Sequence, residues 1–559
     1  MKGDFARVTF DPSRHYSQVF QQQGRVLLEA DWNEQAHIQL HLLRTLVCDL
    51  VGPCWAAGGG FGITSTTTNA DGSSKPLPLT GWQLAPGHFY VDGILCVNEA
   101  ACTLATQPQA PTPDYGVADG SSGFENPSPG YALWLDVWER HLSAVEAPAL
   151  ADVALDGVDT ASRAQVVWQL RLFDRTRADQ RLDDVTAALK TRQKAAGSAA
   201  DIAAIKQQLV DVGNLRSGID GQGNANANAN VSPCTLLRQL LGARALYALP
   251  RMRAELGPLE SDSDPCVIAA DARYRGCENQ LYRVEIHQGG LAGAASFKWS
   301  RENGSVVFPI IRSVSGATAD DGSAQQVVTL GRLGRDARLG LAVNDWVELV
   351  DDAYTLGQRA FPLLQVIAID VANCSVTLNV PKNLTPWQPS NDSRQHALLR
   401  RWDQVDAVNV QGVLALSEGA PVTLEDGIQI TFEPGGLYAT GDYWLIPARV
   451  AGNGQLDWPP VTAADGTSGP AALPPRGLHH YAALGVTDDK GSYQECCCRF
   501  DSLCALLQAE ANKHQPGGMN LVMKPQASVA KVTSATAKKA GKVAKAAKTT
   551  RAAKKTRPA

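Results

Sequence analysis

The sequence contains no long apolar run and no signal-like opening. No stretch of about 18 consecutive apolar residues occurs in it, so we predict that no helix spans a membrane. The segment from Met1 to Arg7 carries an early acid and no apolar core, which argues against a secretory signal. We therefore expect synthesis in the cytoplasm, where most of the 12 cysteines stay as thiols.

The common catalytic and cofactor motifs are missing as well. The sequence has no phosphate-binding loop, no His-Glu-x-x-His, no Gly-x-Ser-x-Gly and no dinucleotide fingerprint. The glycines between Gly58 and Gly62 have the wrong spacing for a nucleotide loop. We predict no catalytic, cofactor-binding or metal-binding residue, and we expect that the protein is not an enzyme.

Length and composition indicate a multidomain, mainly β protein. A chain of 559 residues is too long to fold around a single hydrophobic core. Its content of 44% hydrophobic and 19% charged residues is typical of globular domains. The 50 glycines and 31 prolines interrupt the chain often, which favours short strands over long helices. We predict sandwich- or barrel-like β domains with an N-terminal amphipathic helix, a helical insert and a disordered C-terminal tail.

An extended arm and a helix open the chain. Asp31 is a plausible N-cap, with Glu34 three residues later as its reciprocal partner. Apolar residues then recur at helical spacing in one stripe: Trp32, Ala36, Leu40, Leu43, Val47 and Leu50. This stripe can pack on the chain's own β domain or on a copy of itself, and the pattern leaves both alternatives open. We predict an assembly interface at Trp32, Leu40, Leu43, Val47 and Leu50.

Two β regions follow the helix. In the first, an Asp-Gly pair inside the run from Phe89 to Val97 predicts a hairpin. Further strands are predicted at 131–138 and 165–172. In the second, apolar runs separated by turn residues predict strands at 280–286, 296–300, 326–330, 346–350, 364–369, 375–380, 428–432 and 443–448.

A helical hairpin and a low-complexity linker separate the two β regions. Apolar residues keep helical spacing on either side of Gly197, and an Asn-Ala repeat lies between Gly223 and Asn230. We predict an arm and helix at 1–55, a first β region at 56–175 and an insert with linker at 176–232. A second β region of one or two domains at 233–515 and a disordered tail at 516–559 complete the chain.

Several groups of side chains are candidates for metal binding, catalysis or ligand contact. Adjacent cysteines such as Cys496, Cys497 and Cys498 do not readily present three thiolates tetrahedrally, and buried thiols are favoured over metal. His37 and His41 lack further ligands nearby, which favours a solvated helix face. The paired acids Asp351–Asp352, Glu425–Asp426 and Asp488–Asp489 favour turns, and a glycosidase would need two carboxylates facing one sugar. For the Trp-Arg segments around 299–303 and 400–403, core packing is favoured over a sugar- or protein-contact surface.

The tail is strongly basic. Residues 524–559 contain eleven lysines and arginines and no acid, so the chain's net charge of −5 leaves −16 for the rest. Spaced cations without acids bind polyanions through their charge, or serve only to keep the chain soluble. The predicted polyanion-binding residues are Lys538, Lys539, Lys542, Lys545, Lys548, Arg551, Lys554, Lys555 and Arg557.

Several segments resemble one family of bacterial proteins. They are FDP at 10–12, QQGRVLLEADWNEQ at 22–35, DVWERH at 136–141, the run at 274–287, FKWSRENG at 297–304 and GDYWLIPAR at 441–449. These segments are similar to an uncharacterised family encoded beside phage-tail-like contractile injection particles. They span about residues 4–500 and do not include the helical insert, the linker or the tail.

This resemblance implies a structural or attachment role on such a particle. The expected partners are other particle subunits, with self-association as a further expectation, and the protein would be released or surface-exposed with the particle. A carbohydrate-binding or carbohydrate-cleaving tail-spike-like protein is one alternative. A polyanion-binding protein that acts through its basic tail, on nucleic acid or another polyanion, is a second alternative.

Deleting residues 524–559 tests the polyanion prediction. We expect the full chain to bind double-stranded DNA with an affinity that falls as salt rises, because binding releases condensed counterions. The truncated chain should lose this binding, as measured by fluorescence anisotropy at two salt concentrations. Equal DNA affinity with and without the tail would contradict the prediction.

Overall fold

The computed structural model describes most of the chain. The described residues are 1–68, 71, 74–78, 81–110, 131–220, 231–257, 273–318, 322–336, 338–406, 408–462, 466, 468–487, 492–502 and 504–508. The chain divides into two compact units, Met1–Phe500 and Asp501–Ala559. All elements below belong to the first unit, and the tail residues predicted to bind polyanions lie outside the described residues.

Five α-helices occur in the described residues. They are α1 Glu29–Val51, α2 Arg175–Ala195, α3 Ala199–Ile219, α4 Pro233–Tyr247 and α5 Asp352–Gly357. The predicted helical hairpin is confirmed by α2 and α3, each of which begins after a side-chain cap, Asp174 and Ser198. Helix α4 was not predicted, although Ser232 caps it and Pro233 occupies its first turn.

The strands of the first part of the chain are short except for two. They are β1 Cys54–Ala57, β2 Ile63–Thr64, β3 Thr66–Thr68, β4 Ser74–Pro76, β5 Gln83–Leu84, β6 Gly87–Val91, β7 Ile94–Asn98, β8 Cys102–Thr103, β9 Ala132–Leu142, β10 Ala151–Asp152, β11 Val158–Asp159 and β12 Arg163–Phe173. The predicted hairpin is β6–β7, in which Val91 pairs with Ile94 across Asp92 and Gly93. Both turn residues have positive φ, 49° and 75°, as the turn requires.

The later strands are more numerous. They are β13 Met252–Leu256, β14 Gln280–Gln288, β15 Gly290–Leu291, β16 Ser296–Ser300, β17 Val307–Thr318, β18 Ala324–Leu330, β19 Trp346–Val350, β20 Leu364–Asp370, β21 Ser375–Val380, β22 Leu398–Trp402, β23 Leu414–Ala415, β24 Val422–Thr423, β25 Ile428–Phe432, β26 Leu437–Tyr438, β27 Tyr443–Arg449, β28 Gln455–Leu456, β29 Pro460–Thr462, β30 Ser468–Pro470, β31 His480–Thr487, β32 Tyr493–Glu495 and β33 Cys498–Phe500. Every strand predicted in this part is present, whereas β17, β22 and β31 were not predicted.

A closed barrel and a five-stranded sheet form the second half of the body. The barrel order is β17-β18-β21-β20-β19-β22, and its interior holds apolar side chains such as Phe308, Val328 and Leu399. The sheet order is β23-β16-β14-β27-β28, which shares a core with β13 and β25 around Phe297, Phe432 and Trp444. The mainly β fold with barrel-like packing is thus confirmed.

Strands distant in sequence share sheets in the first half of the body. Strand β31 pairs with β9, and β33 pairs in parallel with β1, so segments near residues 480–500 complete sheets begun by residues 54–142. The predicted domain boundaries are not tested by these pairings and stay a prediction.

Helices α2, α3 and α4 form one apolar cluster with this sheet. Leu182, Val185 and Leu237 pack together with Trp134 and Phe173. A disulfide joins Cys234 on α4 to Cys496, which lies 262 residues away in sequence. Cys496 is buried as expected, but it is bonded to Cys234, so the expectation of a free thiol there is wrong. Among the described residues, the thiols of Cys48, Cys54, Cys96, Cys102, Cys498 and Cys504 are free.

Replacing Cys234 tests the role of this disulfide. We expect Cys234→Ser to lower the free energy of unfolding by about 2–5 kcal/mol, because the bond restricts the unfolded chain. Thermal and urea unfolding without reductant measure the change, with Cys277→Ser at an exposed free thiol as the control. Equal stability of the two variants would contradict a structural role for the bond.

Candidate docking surface

Helix α1 begins earlier than predicted and without the predicted cap. Its N-cap is Leu28, whose side chain makes no capping hydrogen bond, so the assignment of Asp31 as N-cap is wrong. Glu34 instead accepts a hydrogen bond from Thr9 Oγ1 at 2.5 Å. Glu34 therefore has its hydrogen-bond partner in the preceding arm. This explains why the local sequence pattern wrongly predicted a capping pair with Asp31.

The arm before the helix is bound along it by side-chain contacts. The Ala6 amide donates to Glu29 Oε1 at 2.8 Å, and the Val19 amide donates to Gln35 Oε1 at 2.7 Å. Phe10 stacks on His37 with 5.7 Å between ring centroids, and it also contacts His41. The two histidines therefore hold an aromatic side chain, and the described residues contain no cluster of three or more metal-ligating side chains.

One face of α1 packs on the body. Ala30 and Ile38 are buried, and Arg44 forms a paired ion contact with Glu139 on β9, with one N–O distance of 2.9 Å. A Cβ at Gly93 would lie 2.6 Å from the Cα of Arg44. Glycine is therefore required at this turn both for its positive φ and for the close approach of the helix.

A second face carries most of the predicted apolar stripe and is exposed to solvent. Trp32 is 64% exposed, Leu43 57% and Leu50 73%, while Leu40 is also exposed and Val47 is half-buried. At 100° per residue, Trp32, Leu43 and Leu50 lie about 100–160° around the helix from Ala30 and Arg44. Leu40 lies at the edge of the stripe, about 40° from Arg44. Two alternatives were open for this stripe, packing on the chain's own β domain or on another copy. Among the described residues, the β domain does not cover Trp32, Leu43 or Leu50.

Further apolar side chains extend this exposure beyond the predicted set. Leu42 and Leu46 are exposed on the helix, and Tyr16, Phe20, Val26 and Leu27 are exposed on the arm. The exposed apolar residues of the arm could have been found in the sequence, because Val26-Leu27-Leu28 is an apolar run for which no packing partner was predicted. We define the docking surface as Trp32, Leu40, Leu43, Leu46 and Leu50.

The other candidate side chains have partners within the body. Asp351 caps α5, Asp352 pairs with Arg140, and Glu425 binds Arg301 and Tyr282, while Asp488 and Asp489 lie outside the described residues. Trp299 and Trp402 are buried, as the packing interpretation predicted.

A buried ion cluster was missed by the sequence analysis. Glu285 on β14 contacts Lys2 at 2.9 Å and Arg283 at 2.6 Å, and Lys298 on β16 contacts Glu348 on β19 at 2.6 Å. Burial alone would raise the pKa of Glu285, but Lys2, Arg283 and Lys298 hold this pKa well below its usual range. Charged residues within apolar strands, as in Leu281-Tyr-Arg-Val-Glu-Ile286, were the available signal.

The geometry defines a mainly β protein with an outward apolar helix. No helix in the described parts of the chain is long and apolar enough to cross a membrane. The chain belongs to the family described as "Family of unknown function (DUF6519)", which matches residues 1–559. The family's association with tail-like particles and its N-terminal signature remain expectations from the resemblance.

Comparisons with other proteins add little to this assignment. No curated protein matches the chain. A solved structure titled "Crystal structure of TssK" matches at 10% identity, covering 75% of this chain and 99% of its own, with a TM-score of 0.15. A TM-score this low carries no inference about fold or function.

Substitutions on the two faces of α1 should differ in their effect on stability. We expect Ile38→Ala to lower the free energy of unfolding by about 2–4 kcal/mol, because it leaves a cavity against the body. Leu43→Ser should change it by less than about 0.5 kcal/mol in the monomer, since this side chain is already in water. Urea unfolding at low protein concentration measures both, and an equal loss would show that Leu43 packs within the chain.

Proposed function

We propose that the protein is a structural, attachment component of a phage-tail-like contractile particle. Its N-terminal arm and helix α1 dock onto other subunits, and its β body is presented outward. The observation that carries the proposal is the exposure of the docking surface on α1, most of which lies on a different face of the helix from the one that binds the body. The segments at 10–12 and 22–35, which carry the resemblance, are the arm and the start of this helix.

Burial of this surface would provide substantial binding free energy. A fully buried leucine or comparable side chain contributes roughly 1.5–3 kcal/mol relative to its exposed state. Five partly exposed side chains therefore supply several kcal/mol, from which association entropy is subtracted. Contiguous exposed apolar residues of this kind are typical of protein–protein contacts.

The immediate partner that best fits the surface is the same helix of another copy. From Ala36 through Leu40, Leu43 and Val47 to Leu50 the spacing alternates four and three, which is the pattern of an a/d coiled-coil seam. A seam of this kind is self-complementary, because equivalent leucines meet across the axis. Copies joined in this way would present several β bodies around one attachment point on the particle.

Two serine substitutions on the seam test the docking role. We expect the full chain to have a mass that is a multiple of 59.5 kDa by light scattering, and Leu40→Ser/Leu43→Ser to have the mass of one chain. The physical reason is that serines at these positions remove the apolar contact between helices. Val371→Ser, at a 74% exposed valine far from α1 in sequence, is the matched control and should leave the mass unchanged.

Attachment to a particle requires a second measurement. The tagged full chain should sediment with sheath–tube particles from a producing strain and be visible on them by electron microscopy. The double serine variant should be depleted from the particle fraction, whereas the Val371→Ser control should remain there. A full chain that elutes as a monomer at micromolar concentration and never sediments with particles would overturn the proposal.

A further inference from the structure

A cavity of about 180 Å³ lies beside the buried ion cluster. Its walls come from β9, β14, β16, β19, α5, β22 and β27, together with the first residues of the chain. The lining contains the side chains of six cations and four carboxylates: Lys2, Arg140, Arg283, Lys298, Arg359, Arg400, Glu139, Glu146, Glu285 and Glu348. The cavity wall therefore has two more positive than negative side chains.

The two central carboxylates already have their partners. Glu285 is shared by Lys2, Arg283 and Lys298, the last at 3.6 Å. Glu348 accepts from Lys298 at 2.6 Å, from Trp402 Nε1 at 2.9 Å and from the Tyr354 hydroxyl at 2.5 Å. Neither carboxylate has an obvious site left for a further cation.

Arg400 is a buried cation of this wall without an ion-pair partner among the described residues. It is 5% exposed, and its Nε is buried without a hydrogen-bond partner among the described residues. No ion pair joins its guanidinium to a carboxylate of the described chain, although its cross-strand neighbour is Glu348. A buried cation without a counterion costs several kcal/mol, so an unpaired guanidinium here calls for an anion.

Further nitrogen atoms on the same wall also lack partners among the described residues. Arg140 Nε and His141 Nε2 are buried and make no hydrogen bond to any described residue. Burial, assisted by nearby cations that include Arg400 and Lys2, lowers the pKa of His141 to about 3. The ring is therefore neutral near pH 7 and can donate one N–H to a bound anion.

We propose that this cavity binds a small, doubly charged oxyanion of the phosphate class, with Arg400 as its principal ligand. The excess of two positive side chains matches a dianion, and the planar guanidinium presents paired donors to two oxygens of one tetrahedral group. The cavity volume admits the phosphoryl group itself. The proposal does not depend on the docking surface of α1.

Calorimetric titration of the full chain with inorganic phosphate tests the proposal, at constant ionic strength maintained with chloride. We expect phosphate to bind the wild-type protein, and Arg400→Gln to weaken binding by about tenfold or more, because a charge-assisted pair of hydrogen bonds is lost. Arg335→Gln is the matched control, since that side chain is 80% exposed, and it should leave the affinity unchanged. Adenosine monophosphate forms a second arm: tighter binding than phosphate assigns the site to a larger phosphorylated ligand, and weaker binding assigns it to the free oxyanion.

Thermal unfolding measures phosphate binding independently and allows a second variant, Arg400→Lys, to be tested beside Arg400→Gln. Phosphate should raise the Tm of the wild-type protein by mass action and should have a smaller effect on Arg400→Lys, which keeps the charge but loses the planar donor pair. Phosphate that binds no better than chloride overturns the proposal, as does an affinity that Arg400→Gln and Arg400→Lys both leave unchanged.

Discussion

Charge buried where the barrel meets the five-stranded sheet is the constraint on which the rest of the body depends. Lys298 on the sheet lies between Glu285 on the same sheet and Glu348 on the barrel. Separating either carboxylate from Lys298 would leave an uncompensated charge in a low-dielectric interior, at a cost of several kcal/mol. The barrel and the sheet are therefore held in one relative position, and the cavity beside them is held open with its cationic wall.

The same cluster anchors the start of the chain and thereby directs α1. Lys2 binds Glu285, and Asn303 Nδ2 donates to the Gly3 carbonyl at 2.9 Å. From this buried anchor the arm runs outward and binds along the helix through Glu29, Glu34 and Gln35. The arm and Glu139 thus contact α1, and the exposed members of its apolar stripe remain uncovered by the described residues.

Helices with the same kind of apolar pattern meet different environments in this molecule. Most apolar residues of α2, α3 and α4 are covered by each other and by Trp134 and Phe173 of the neighbouring sheet. The exposed members of the α1 stripe, such as Trp32, Leu43 and Leu50, remain in water, although the spacing of the stripe is as regular. Helical periodicity indicates that a helix has an apolar face that needs to be buried. Only the tertiary structure decides whether the chain's own strands and helices bury that face.

The sequence by itself determined the local elements whose signals are local. The Asp92-Gly93 hairpin, the helical hairpin and most long strands followed from turn residues and periodicity, and so did the existence of the stripe on α1. Tertiary structure alone decided which contacts join distant residues: the pairing of β31 with β9, the Cys234–Cys496 bond, and the choice of Thr9 over a helix cap as the partner of Glu34. It also decided that Arg400 has no ion-pair partner among the described residues, whereas Lys298 has two. These outcomes depend on residues hundreds of positions apart meeting in space, and a local pattern carries no information about that distance.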